Sequence, residues 1–590
     1  MTQTSFKLRK SSYLRLLGAD LSAIHAYLLT LSIALLFIAY MFPLSFLSGN
    51  SIIFDPNYSD NSLHMASWWF YAQDSWHFPL LLTERTNFPE GQNIAFTDSI
   101  PIVALFFKAL MTLFPTLLPK HFHYFGWWVG LVFILQAVSS TFLARILGIT
   151  KLFPTFTITI FALTWPPIHI RYPHAALMMQ SIIIFTLALY FLGRNKIWSS
   201  NAVIYTFVIL NVIALTVHPY FLPISFGIFF AFLVDQKLVT KNVSWTKQCV
   251  WLLFVLLILG CVGFLLGYFQ PNTYGGGYGD HYSFDLLSPF CGNTKWSHCN
   301  FVKGDITARQ FEGFNYFGIG LIFLIPCILF LKWRAIPKLI HQYPAFILII
   351  LGIFIFSISN HVRLGDVELF TFPIPSWLVW ITGTFRAAGR FFWVIGYLIL
   401  FVTLTTILKK NTWPIVALAS IALVLQVADE APSLKKIKKE LSKPNAYSYA
   451  EWESLMNQVD NVNIYPVLGC TSDKFEQVNA WATYQVAGYY GKLINTAYSA
   501  RINIDCKVSK KLLDAELKPR HLYLIGHLTK SFNLARTENQ FPAPFQDAMK
   551  RGECVTRLDG MLCLQGSTPE FWQNQLLKTY PVKLNAKGRY

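Results

Sequence analysis

LSAIHAYLLTLSIALLFIAYMFPLSF, residues 21–46, is an almost unbroken apolar run, and the segment after it, Asn50 to Asp98, is polar, acidic and rich in aromatic rings. A helix needs about 20 apolar residues to cross a bilayer core. Lys7, Arg9, Lys10 and Arg15 precede the run and hold its start on the cytoplasmic side, so the acidic loop is placed outside. No ATP or sugar nucleotide is present there, and chemistry in that loop would need a donor carried in the lipid itself. The apolar stretch is too long for a signal peptide, and Met41, Phe42 and Pro43 offer no small-residue cleavage site. It is expected to stay as an anchor.

Composition extends the same reading to the whole chain. With 590 residues, 54% hydrophobic, 16% aromatic and only 13% charged, a single soluble core would leave a large apolar surface uncovered. An integral membrane protein, with the lipid bilayer as a partner, is the alternative that fits. The net charge of +18 comes from short Lys/Arg clusters between apolar runs, where they orient spans and meet anionic lipid. Nucleic acid is therefore not an expected partner.

Following basic inner turns along the chain predicts about eleven spans. After residues 21–46 they are Phe122 to Leu147, a pair within Phe153 to Leu189, Val203 to Val217, Phe221 to Val234, Trp251 to Tyr268, Phe314 to Leu331, Ala345 to Ser359, Phe391 to Leu408 and Trp413 to Val427. Lys237, Lys241 and Lys247, then Lys332, Arg334 and Lys338, then Lys409 and Lys410 mark inner turns. Residues 1–428 read as a transmembrane bundle with a first outer loop at 47–121, and residues 429–590 as an extracytoplasmic α/β domain, where short β-type runs such as Val462 to Val467 and Leu522 to Gly526 alternate with amphipathic pieces such as Ser509 to Glu516. No nucleotide-binding or hydrolase motif occurs in that tail, and the glycine-rich stretch Tyr274 to Asp280 reads as a loop. Six of the nine cysteines, Cys291, Cys299, Cys470, Cys506, Cys554 and Cys563, fall in segments placed outside, where disulfides form. His298 beside Cys299 is the nearest approach to a zinc-type grouping, and disulfides are favoured over metal; Cys291 is expected to pair with Cys299, and the four tail cysteines allow three connectivities, of which nearest-neighbour pairing is the simplest. Cys249, Cys261 and Cys327 sit in or beside spans as small apolar residues.

Candidate chemistry gathers at the outer loops. Asp60 and His64 are four apart and share a helix face, and Trp68, Trp69, Phe70 and Tyr71 suit the headgroup level, which describes a helix lying on the membrane. Asp60 reads equally as an N-cap, and His64 as a hydrogen-bonded interfacial residue. Asp98 opens a second, juxtamembrane helix, Ile100 to Leu118, that carries Lys108 in its middle and is bounded by Pro115 and Pro119. Arg171, His174 and His218 stand at outer corners, where they would make structural hydrogen bonds. Arg386 and Arg390 lie four apart beside an aromatic cluster, flank a span and would snorkel to headgroups.

One span, a long acidic outer loop, a juxtamembrane helix and a multi-span bundle ending in an α/β domain resemble the GT-C superfamily of polyprenyl-phosphate-sugar-dependent glycosyltransferases. Asp60 to His64, the strings Trp76-His77-Phe78-Pro79, Asn87-Phe88-Pro89-Glu90-Gly91 and Phe96-Thr97-Asp98-Ser99-Ile100-Pro101, and Phe385 to Trp393 resemble, more closely, a bacterial multi-pass family known mainly as a domain of unknown function. The superfamily resemblance implies an inner-membrane enzyme with a cytoplasmic N-terminus and a periplasmic tail. It would move sugar from a polyprenyl-phosphate donor to a glycan, lipid or protein acceptor, with inversion. It implies Asp60, by preference, or Asp98 as base, Arg386 and Arg390 on the leaving phosphate, and His64, Lys108, Arg171, His174 and His218 as further donor or substrate contacts. No cofactor is firmly implied. A divalent metal is left open, although Asn61 stands where the superfamily often has a second adjacent acid. The competing class is a lipid-linked-sugar flippase or an O-antigen-polymerase-like protein; a carrier with paired half-repeats finds no counterpart in the chain.

Overall fold

The computed structural model describes residues 21–56, 60–240, 243–269, 278, 282–292, 299, 311–332, 336–410, 412–465, 467–468, 470, 474–499, 517–525, 543–557, 560–577 and 580–581. The basic N-terminal cluster, Lys241, Arg334, His298, Cys506, residues 509–516 and the glycine-rich stretch apart from Tyr278 lie outside the described residues. The chain forms two compact units, one of residues 1–48, 126–262 and 274–442, the other of residues 49–125, 263–273 and 443–590.

The first unit is a helical bundle, and each expected span has become a helix. Among the described residues, eight helices are long and apolar enough to cross a membrane: Leu21–Met41, Phe125–Ile146, Ala175–Arg194, Ser200–Val217, Phe221–Val239, Trp245–Leu266, Ala388–Leu408 and Trp413–Leu441. Three more, Leu152–Leu163, Ile319–Lys332 and Pro344–Ile358, have 12, 14 and 15 residues. At about 1.5 Å per residue they reach roughly 18–22 Å, short of a ~30 Å hydrocarbon core. Two of these short helices start inside the protein, where bare backbone N–H groups would be costly, and a neighbouring span caps each. Asp235 accepts from the backbone N–H of Ala345 (2.8 Å) and Phe346 (3.1 Å) and from the Tyr190 hydroxyl (2.6 Å). Asp429 accepts from the Ile319 N–H (3.1 Å) and the Tyr316 hydroxyl (2.6 Å). The last helix therefore does not end near Val427, as the acidic residues after it suggested. It runs through Pro432 to Leu441, with Asp429 buried as a cap, and the expected boundary at 428/429 falls inside it.

The second unit joins the first outer loop to the tail. Six strands form one mixed sheet in the order 580–581, 554–557, 560–564, 521–525, 461–465, 493–494. The last three are mutually parallel and the rest antiparallel. Against this sheet packs the helix Lys474–Tyr490, and against that helix the loop helix Asp60–Ala72, so Leu63, Ala66 and Phe70 share a core with Trp452, Val462 and Leu522. Ser67 Oγ meets the Tyr484 hydroxyl at 3.1 Å across 417 residues of sequence. The aromatic run expected at headgroup level is instead protein core: Trp68 and Phe70 are fully buried, and the indole N–H groups of Trp68 and Trp69 donate to the Phe122 and His121 carbonyls at 2.8 and 3.1 Å. Trp69 and Phe70 pack on the tail residues Tyr449, Tyr489 and Tyr484, and Trp68 on Tyr124, so the run from Trp68 to Tyr71 is buried in protein. Cys291–Cys299 and Cys554–Cys563 are disulfides, and Cys470 is disulfide-bonded as well.

Candidate functional site

Within the helical unit, three residues singled out in the sequence, Arg171, His174 and Arg390, act on one that was not, Glu312. Arg171 follows a short helix, Pro166–His169, whose two prolines suit a first helical turn. The chain then turns, the His174 N–H donating to the Arg171 carbonyl at 2.8 Å. Arg171 is completely buried, and its Nη1 donates to Glu312 Oε2 at 2.7 Å. Arg390 reaches the same oxygen with Nε at 2.8 Å and Nη2 at 2.6 Å. Glu312 can come this close because its loop touches the Arg390 loop at glycines: a Cβ on Gly389 would lie 2.4 Å from Gly313 Cα. Asn315 closes the contact by donating to the carbonyls of Gly313 (2.8 Å) and Gly389 (3.0 Å).

Aromatic faces hold the two guanidinium groups from behind. Arg390 lies 4.5 Å over the Tyr220 ring and Arg171 5.7 Å from that of Trp393. Tyr220 is itself fixed, its hydroxyl accepting from the Ala387 N–H at 2.9 Å and its own N–H donating to His218 Nδ1 at 3.2 Å. Tyr220 thus stands between His218 and Arg390. Burial disfavours the charged carboxylate of Glu312, but Arg390 and Arg171 outweigh it, with His174 adding to them, and the group is held well below the usual carboxylate range. Burial pulls Arg171 down to about 10 against the pull of Glu312, so it stays charged at neutral pH. Arg386 does not share a helical face with Arg390, because the chain between helix Val379–Thr384 and the turn Ala388–Phe392 is not helical there; it stacks 5.1 Å over Tyr282 instead.

The loop-and-tail unit carries the acids. Asp60 occupies the first turn of its helix, with His64 one turn on and almost fully buried at 1% exposure. Asp98 is brought to His64 by a strained turn, in which Asp98 and Ile100 both have positive φ, 53° and 52°. Non-glycine residues in that region cost on the order of 1–3 kcal/mol each, and a β-branched Ile is an unusual occupant. What holds the turn is a buried network: Ser99 Oγ meets the His64 carbonyl at 3.1 Å and Thr97 Oγ1 at 2.8 Å, and the Tyr124 hydroxyl donates to the Ser99 carbonyl. The result is Asp98 Oδ2 at 3.9 Å from His64 Nε2, an ion-pair distance that is too long for a direct hydrogen bond. The Tyr498 ring stands 6.0 Å from that of His64. Of this unit's residues, His64 and Asp98 could offer two ligand atoms to a cation. Asn61, in the place of the superfamily's second acid, is buried at 2% exposure.

Lys108 is drawn into the protein. Its ammonium is buried, donates to the Ser75 carbonyl at 2.9 Å and sits 3.9 Å from the centre of the Tyr71 ring and 4.8 Å from that of Trp76, tying helix Pro101–Leu113 to the end of the Asp60 helix. Burial pulls its pKa down to about 8. Glu312 was the residue missed, because it lies in a long loop without periodicity; the glycine next to it was the only trace of close packing there.

A family model described as Domain of unknown function (DUF6311) matches residues 16–431. No protein with a curated description matches the chain. Among solved structures, the chain is similar to the archaeal oligosaccharyltransferase AglB from Archaeoglobus fulgidus, solved in complex with an inhibitory peptide and a dolichol-phosphate. The similarity has 11% identity and a TM-score of 0.41 and covers 91% of this chain and 74% of that one.

Proposed function

The chain belongs to the DUF6311 family, whose description carries no activity, and we propose that it is a membrane glycosyltransferase that moves a sugar from a polyprenyl-phosphate donor to an acceptor hydroxyl on the extracytoplasmic side. The observation that carries this reading is the pair of guanidinium groups, Arg171 and Arg390, fixed on one Glu312 oxygen. Guanidinium is the side chain whose planar fork matches phosphate oxygens, and two such groups locked in place by a carboxylate and two aromatic faces are pre-organised for an anion. Their role would be to hold the lipid phosphate as it departs with the electron pair of the bond to the sugar's anomeric carbon. Arg386 and His174 would add to the positive potential.

Among the carboxylates of the other unit, Asp98 is the candidate base and would take a proton from an acceptor hydroxyl. Attack on the face opposite the leaving phosphate inverts the centre. His64 would orient Asp98, and the strained turn supports this choice over Asp60, since positive φ at non-glycine residues gathers at functional sites. Asp60 remains the second carboxylate, on the same helix face as His64. Binding of a short-chain polyprenyl phosphate to the detergent-solubilised full chain tests the reading. Arg390→Lys keeps the charge and loses the fork, and should weaken binding about tenfold or more, the worth of one charged hydrogen bond. Undiminished affinity in both Arg390→Lys and Arg171→Lys would remove the cluster from donor recognition.

A further inference from the structure

Between the helices Pro344–Ile358 and Trp393–Leu408 stands a two-stranded hairpin, His361–Leu364 with Val367–Thr371. Its first strand is moored to the bundle: Leu286 N–H donates to the Arg363 carbonyl at 3.1 Å, and both Asp285 oxygens accept from the Gly365 N–H at 3.0 Å. The second strand is exposed at all five of its residues. Val367 (57% exposed), Leu369 (47%) and Phe370 (55%) project from it, and Phe372 (42%), Trp377 (69%) and Trp380 (57%) follow within ten residues of chain.

A strand in water shows apolar groups on at most one face, since side chains alternate, and a lone hairpin is marginal there. Here apolar side chains project on both faces, with indole rings just beyond. The flanking helices fix which surface this patch continues. Lys338 precedes one and Lys409 follows the other, so by the basic-inside rule the connecting segment lies at their outer ends. Leu351 (49% exposed) and Ile355 (54%) carry the lipid-type surface of the first helix up toward the hairpin. Yet the hydrocarbon core is closed to it, because a two-stranded hairpin has open edges whose backbone groups lipid cannot satisfy.

We propose that residues 361–380 are seated in the outer leaflet at the headgroup–acyl boundary, with Phe370, Trp377 and Trp380 anchoring the bundle there. This is independent of the glycosyl-transfer reading. Aromatic rings favour that depth, and amphipathic elements lie there with their apolar side about 5–10 Å into the boundary. The strap would hold the bundle to the outer leaflet only a few residues before Arg386.

The test uses the full chain in phosphatidylethanolamine–phosphatidylglycerol vesicles, with Cys249, Cys261 and Cys327 replaced by Ala and the disulfides kept. A nitroxide is attached at Phe370→Cys or Trp377→Cys, and collisions with oxygen, which concentrates in lipid, are compared with collisions with a water-soluble nickel chelate. Val367→Cys supplies a third site should either variant fail to fold. The expected result is that oxygen collisions exceed chelate collisions at every folded site, at a depth near the lipid carbonyls. Chelate-dominated collisions would mean that the patch faces water and overturn the proposal. Spin–spin broadening that grows with the labelled fraction would show a second copy covering the patch and overturn it equally. A label reporting the bilayer centre would overturn the interfacial depth.

Discussion

Replacing Glu312 by Gln removes one negative charge while keeping the shape of the side chain, and so asks what the carboxylate does for the two arginines. Arg171 Nη1 and Arg390 Nη2 lie 2.7 and 2.6 Å from the same oxygen. The two cations are therefore roughly 5 Å apart, and with an effective dielectric constant of about 20 their repulsion comes to about 3 kcal/mol. Breaking buried ion pairs by removing one partner costs a similar ~3–5 kcal/mol. Thermal unfolding of the detergent-solubilised protein should accordingly show Glu312→Gln destabilised by about 3 kcal/mol. The loss should be largely recovered when Arg390→Gln is added, since the second substitution removes the repulsion that the first exposed. Inorganic phosphate should stabilise Glu312→Gln more than the parent: at ten times its Kd a bound anion contributes about 1.4 kcal/mol. The pH sign follows from the depressed carboxyl. A carboxylate held low in the fold stabilises at all pH values above its unfolded pKa of about 4.3, and that contribution is lost as pH falls below it. The parent should thus keep this contribution unchanged from pH 8 to 5 and lose it on further acidification, whereas Glu312→Gln should lack the loss. An unchanged midpoint in Glu312→Gln, or no recovery in the double variant, would refute the reasoning, because the arginines would then not depend on Glu312 for their charge.

Further expectations follow from the other unit and from the cysteines. Asp98→Asn should lower glycosyl transfer by the ~10²–10⁴ of a lost general base with little change in stability, and Asp98→Gly should be slightly more stable than the parent, since glycine accepts φ of 53° without strain; normal transfer by a folded Asp98→Asn protein would pass the role to Asp60. Lys108 has a pKa lowered from 10.5 to about 8, so the unfolded chain binds its proton where the folded one does not, and stability should rise between about pH 8 and 10.5; unfolding midpoints of Lys108→Met against the parent would show the rise absent in the variant. Non-reducing peptide mapping should recover Cys291–Cys299 and Cys554–Cys563 and, by elimination among the six outer cysteines, join Cys470 to Cys506; free thiols at all six in native protein would contradict the outer placement of the tail.

The parts of this fold that were legible in the sequence are those a bilayer dictates locally. Every apolar stretch bounded by basic residues became a helix, because a hydrocarbon environment leaves a single strand of chain no other way to satisfy its backbone. Helix lengths were not legible. Asp429 and Glu430 look like the end of a span when read along the chain, yet Asp429 caps Ile319 of another helix, a pairing across 110 residues that no window of sequence contains. The aromatic run Trp68 to Tyr71 failed as a membrane surface for the same reason: what covers it, Tyr484 and its neighbours, arrives from the far end of the chain.

The candidate site divides along the same line. Arg171, His174, His218 and Arg390 could be found because a charged or titratable side chain at the mouth of an apolar span is costly there and so draws attention by itself. Glu312 could not, since an acid in a polar loop looks ordinary until the loop is seen pressed against Gly389. Its identity changes the reading of the arginines. Four residues apart beside an aromatic cluster, Arg386 and Arg390 looked like a pair; in the fold Arg390 shares Glu312 with Arg171, and Arg386 stands over Tyr282. Two buried guanidinium groups fixed by one carboxylate are a poor way to stabilise a bundle, since apolar residues of similar volume often do as well or better. An arrangement that spends stability on holding two cations still beside aromatic faces is better explained by an anion that comes and goes than by the fold alone.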